Sequence, residues 1–99
     1  MLSIQLTQSA ESDLAHIAEY TLENFGLAQA EIYYQGLSST LETLCQYPEL
    51  GTHQDKIKTG LKRFVYQYHS IYFSHTERIL LVYRILNHKQ DPLRHRFEP

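Results

Sequence analysis

Residues 60–73, GLKRFVYQYHSIYF, decide how the whole chain is read. LKRFVY (61–66) and SIYFSH (70–75) are short runs rich in aromatic and β-branched residues on either side of a tight connection near Gln67–His69. That is the pattern of an antiparallel hairpin. Downstream, HTER (75–78) makes a second turn into RILLVYRIL (78–86), a run apolar on both faces, as expected of a central strand covered by helices on one side. Upstream, the polar segment THQDKIKTG (52–60) reads as a loop. The hairpin therefore carries Lys62, Arg63 and His69 among five aromatic rings. These polar groups are either the solvated face of a sheet or a surface that meets a partner.

The first half reads as helical. SIQL (3–6) is a brief alternating strand, and Thr7 is placed to cap the helix that follows. Ala10, Leu14, Ile17, Ala18, Thr21 and Phe25 recur at spacings of three and four, predicting a helix to about Asn24, with Glu11 and Asp13 near the positive end of its dipole. Gly26 ends it. A second helix is predicted from about Leu27 to Gln46, with a stripe of Ala30, Tyr33 or Tyr34, Leu37, Leu41 and Leu44, stopped by Pro48 and Gly51. With so short a connection the helices fold back as an antiparallel pair. The expected class is α+β, in the order β-α-α-β-β-β: an N-terminal helical hairpin packed on a small, mainly antiparallel sheet, with residues 1–99 forming one domain.

Charge is segregated. Residues 1–55 hold eight acidic residues and no Lys or Arg, whereas residues 56–99 hold all nine basic residues against Glu77, Asp91 and Glu98, so a net −2 divides into −8 and +6. Either the halves complement each other within one domain, or a basic surface is kept for an anionic partner. No apolar run approaches the ~20 residues of a membrane span. The N-terminus lacks the basic start and cleavage site of a signal peptide, and a single cysteine, Cys45, makes no internal disulfide. A cytoplasmic location with no membrane partner is expected.

Several chemistries find no support. The six histidines show no local metal-ligand spacing, no G-x-S-x-G or glycine-rich phosphate loop occurs, and Ser38–Ser39 lie mid-helix. No metal and no cofactor are expected. Tyr66, Tyr68 and Tyr72 interleave with cations as base-stacking rings would, although tyrosines on a sheet more often pack under helices.

LTQSAESDLAHIAEY, LETLCQYPELG, GLKRFVYQYHSIYF, YRIL and DPLRH, in this order across about 90 residues, resemble the ParE branch of the RelE/ParE toxin superfamily of bacterial toxin–antitoxin systems. The chain departs from the family's frequent residues at Lys62 (often Arg), at Asn87–His88 (often His directly after the strand) and at Gln90 (often Met). The resemblance implies a toxin involved in plasmid or chromosome maintenance. It would be neutralised by a ParD-like antitoxin with a ribbon–helix–helix DNA-binding part, touching operator DNA only through that antitoxin. The implied target is DNA gyrase, poisoned by a protein with no catalysis of its own. His69 matches the family's hairpin histidine, implied to stabilise the turn.

Target contact is then expected from Lys62, Arg63 and Arg84, and from the exposed basic tail through Lys89, Arg94 and Arg96. The antitoxin is expected in a groove between the helical hairpin and the open sheet face, with Leu14, Ile17, Tyr33 and Leu37 as apolar pockets and Arg63 and Arg84 receiving acidic residues. Two alternatives stand. A RelE-like ribosome-dependent mRNA endonuclease would draw on Arg63, Arg84 and His88, with Lys56, Lys58 and Tyr83; yet Tyr83 and Arg84 are strand neighbours and face opposite sides unless a bulge intervenes. The other is an inactive toxin-fold binding protein or operon co-regulator. Arg84 itself is equally open to a structural ion pair with a carboxylate.

Overall fold

The computed structural model describes residues 1–99. Its elements are β1 (Ser3–Leu6), α1 (Gln8–Phe25), α2 (Leu27–Gln46), β2 (Thr52–His53), β3 (Lys62–Tyr66), β4 (His69–His75) and β5 (Ile79–Asn87), with 3₁₀ turns at Pro48–Leu50 and Pro92–Arg94. One sheet runs in the order β1-β5-β4-β3-β2. β1 is parallel to β5, and every other pairing is antiparallel. The α+β class and element order expected from the sequence are found, with one addition. Within the segment read as a loop, Thr52 and His53 pair with Arg63 and Lys62 and extend the sheet by a two-residue edge strand. So short an edge carries no alternation to detect.

The helical hairpin turns on one residue. Gly26 adopts φ 88°, donates its N–H to Leu22 O, and accepts from Ala30 N with its carbonyl, so it closes α1 and opens α2. Of the two tyrosines left open on α2, Tyr33 is buried and Tyr34 exposed. The α1 stripe runs out before its predicted end: Tyr20, Leu22 and Phe25 are exposed, with Leu27 beside them across Gly26. The hairpin tip has no core packing.

The sheet is covered on both faces. On the helix side, Ala10, Leu37, Leu41, Leu44 and Cys45 pack on Ile71, Phe73, Leu80, Val82 and Ile85, with Phe64 and Tyr66 at the margin. On the other side, Leu61, Tyr72, Tyr83 and Leu86 form a second cluster closed by Phe97 from the tail. Each fully buried Leu, Ile or Phe contributes about 1.5–3 kcal/mol. Burial pushes the Cys45 thiol up, and it serves as a small core hydrophobe.

β5 changes face partway along. Tyr72 pairs with Arg84 but Phe73 pairs with Val82, which leaves Tyr83 as an extra residue on β5. Before the bulge, Leu80 and Val82 face the helices and Leu81 the second cluster; after it, Ile85 faces the helices and Leu86 the second cluster. The condition set by strand alternation is met: a bulge stands at Tyr83–Arg84.

Candidate functional site

β1 ends at Leu6, so beyond Val82 the edge of β5 has no strand beside it. The start of α1 takes over. Thr7 N–H donates to Val82 O, and its hydroxyl donates to Tyr83 O while accepting from Ala10 N. One turn on, Asp13 Oδ2 accepts from Ile85 N–H at 2.9 Å. The same carboxylate receives Arg84 in bidentate fashion, Nε to Oδ2 and Nη2 to Oδ1, both at 2.8 Å. Such a planar pair is among the stronger charge-assisted contacts. Asp13 is buried and Arg84 largely so, and hydrogen bonding from Asp13 holds the guanidinium pKa above its ordinary range. Of the two readings of Arg84, the structural ion pair is the one found.

The third guanidinium nitrogen reaches the tail, with Arg84 Nη1 donating to His95 Nδ1 at 3.1 Å. Because Arg only donates, Nδ1 accepts, and the proton of the His95 ring stands on Nε2. Asp13, Arg84 and His95 thus connect α1, the bulge and the tail in one row.

The residues expected to meet the target are divided. Lys62 faces the helix side of β3, opposite Phe73, with its ammonium 3.4 Å from His75 Nε2. Arg63 faces the other way, in line with Tyr72 and Arg84, and donates to Ser70 Oγ at 3.0 Å. Lys89, Arg94 and Arg96 are exposed, and Arg94 and Arg96 make only loose solvent-exposed pairs with Asp91 and Glu98 at 4.0 Å. The tail does not hang free, however. Phe97 is buried on Tyr72 with ring centroids 5.1 Å apart. His88 is exposed and lies edge-on to Tyr68, while Lys58 Nζ stands 5.7 Å from the Tyr83 ring centre.

The expected antitoxin groove needs correction. The helical hairpin lies on one face of the sheet and the surface carrying Arg63 on the other, so no groove joins them. Leu37 is 1% exposed, Tyr33 is buried, and Leu14 and Ile17 are half-buried against the core. The protein's own packing fills those pockets, and Arg84 already has its acid in Asp13. The hairpin tip groups four exposed apolar side chains, Tyr20, Leu22, Phe25 and Leu27, while others such as Ile32, Tyr34, Tyr68 and Leu93 are exposed elsewhere.

His69 pairs with Tyr66 across the β3–β4 turn. It opens β4, and its Nδ1 lies 2.6 Å from the Tyr33 hydroxyl on α2, so it ties the β3–β4 hairpin to the helix. Burial, helped by nearby His88, holds its pKa below the ordinary imidazole value. Neutral Nδ1 accepts from the tyrosine, whose own pKa burial pushes up. Sequence reasoning missed His95 and gave Asp13 only a dipole role. The signal for Asp13 was its place on the apolar stripe, between Ala10 and Ile17.

Comparison with known proteins adds a separate line of evidence. The family model described as ParE toxin of type II toxin-antitoxin system, parDE, matches residues 4–92. A Toxin ParE1 from Caulobacter vibrioides is 24% identical over 95 residues, covering 96% of this chain and 98% of that relative. A Toxin ParE1 from Mycobacterium tuberculosis is 26% identical over 87 residues, covering 87% and 89%. Among solved structures, a chain of the chromosomal ParDE TA system from P. aeruginosa superposes with a TM-score of 0.74 at 20% identity, covering 88% of this chain and 96% of that one, which establishes a shared fold. With nearly its whole length matched by the family model, the chain belongs to the ParE toxin family of type II toxin–antitoxin systems.

Proposed function

We propose that this protein inhibits DNA gyrase and is neutralised by a ParD-like antitoxin with a ribbon–helix–helix DNA-binding part, acting in the cytoplasm. The observation that carries this reading is the family match over residues 4–92. The distribution of charge supports it, since the acidic residues crowd into the first half and the basic residues into the strands and tail. One arginine offered for RNA cleavage, Arg84, is bound bidentately by Asp13 and is not a free cation for a phosphorane. Target contact falls to Arg63, Lys89, Arg94 and Arg96. The antitoxin contact shifts to the exposed hairpin tip, because an apolar patch of that kind commonly marks a protein interface.

The test uses purified protein with DNA gyrase, ATP and supercoiled plasmid, stopped with detergent and protease. Linear DNA is expected to accumulate with toxin dose and to disappear when the antitoxin is added. Unchanged supercoiling without linear DNA would overturn the gyrase reading; mRNA cut on translating ribosomes would then identify the endonuclease alternative.

A further inference from the structure

Between the 52–60 segment and the tail lies an open cleft of ≈ 320 Å³, lined by Lys56, Lys58, His95 and Arg96 together with Ile57, Phe97 and other tail residues. We propose that this cleft is a binding site for the phosphate backbone of a single-stranded nucleic acid.

Its polar lining consists almost wholly of donors. Lys56 and Lys58 have no carboxylate within ion-pair distance, and Arg96 has only the loose, exposed pair with Glu98, the one acid at the rim. Pairs of that kind exchange readily for a better anion. His95 contributes Nε2–H, because Arg84 occupies its other nitrogen and Asp13 anchors Arg84. Lys58 is held over the Tyr83 ring, which keeps its ammonium beside the apolar floor. The cleft is open and therefore suits a strand passing through it.

Two features favour a nucleic-acid strand over an acidic peptide. Apolar side chains stand directly beside the cations: Ile57, Phe97 and Leu93, the last 76% exposed at the rim, where a sugar or base would rest. The tail beside the cleft also exposes Arg94, in only a loose pair with Asp91, and Lys89, and a backbone with one charge per nucleotide can meet such spaced cations in succession.

The test is fluorescence anisotropy of a labelled oligothymidylate titrated with full-length protein at several salt concentrations. It needs no gyrase, so its result is independent of the target. For the double substitution Lys56→Gln/Lys58→Gln, affinity is expected to fall about tenfold, and the slope of log affinity against log salt to shrink by ~0.7 for each cation removed. His95→Phe keeps the ring volume, removes the Nε2 donor, and is expected to weaken binding several-fold. Arg78→Gln removes an exposed charge at the far end of β5 and is expected to leave binding within twofold. All of these positions are exposed or at the margin, and circular dichroism verifies folding. The proposal is overturned if the wild type shows no salt-dependent binding. It is equally overturned if Arg78→Gln weakens binding as much as the lysine pair, or if a poly-glutamate peptide of matched charge displaces the oligonucleotide at equal concentration.

Discussion

Asp13 holds β5 at two successive residues with one carboxylate, accepting the Ile85 backbone N–H and both Nε–H and Nη2–H of Arg84. Asp13→Asn keeps the shape but leaves a largely buried guanidinium without its counter-charge. The expected cost is about 3 kcal/mol, read as a lower urea midpoint with an unchanged slope. Asp13 sat on an apolar helical stripe, and its burial was legible there; its partner was not, because only strand register places Arg84 beside α1. The histidine at position 69 gives a second test. Its folded pKa lies below the ordinary imidazole value of 6.5 because burial disfavours the charged ring. The unfolded chain therefore binds the proton more readily, so this contribution to stability is complete above that ordinary value. As pH falls below it, the contribution is lost progressively down to the folded pKa. The thermal midpoint is expected to drop between about pH 7 and pH 5, and His69→Phe to flatten that slope. An equally steep slope in the variant would locate the titration elsewhere.

Helix α2 meets the β3–β4 hairpin through Tyr33 and through Gly36. A Cβ at Gly36 would overlap the hydroxyl end of Tyr66, whose ring also packs on Tyr33 at 5.3 Å between centroids. At an exposed helical site, Gly→Ala stabilises by up to ~1 kcal/mol. Here overpacking opposes that gain, and Gly36→Ala is expected to destabilise by about 1–2 kcal/mol. A Tyr66→Leu background is expected to relieve part of that loss in a double-mutant cycle of urea denaturation. Additive effects would show that the helix and hairpin do not press on each other at this point. The helices and three longer strands were legible because periodicity over many residues marks them. The bulge at Tyr83 was not, since a single extra residue in an apolar run leaves the composition unchanged. That the protein's own packing covers Leu14, Ile17, Tyr33 and Leu37 was not legible for a related reason: a stripe shows which side chains face inward, not whether anything remains uncovered.

At the scale of the whole molecule, the sheet separates two cores of unequal size, and the smaller is completed by the tail. Phe97, one aromatic in a polar run, gave no periodic sign that the chain folds back. Phe97→Ala is expected to cost about 3 kcal/mol and to expose Tyr72 and Tyr83, measured by chemical denaturation and by increased binding of a hydrophobic dye. A tail that was merely a flexible basic arm would tolerate the change. The separation of charge was plain in composition; its placement required the topology. That topology joins the chain's beginning to its end, since β1 lies against β5 and the Thr7 hydroxyl bonds to Tyr83, 76 positions later. During synthesis the first strand must therefore wait, without its neighbour, until the last long strand has emerged from the ribosome. A nascent or prematurely released chain lacking residues 79–87 cannot assemble this sheet and is left as a substrate for proteases. The folded toxin thus arrives only after that strand has been made.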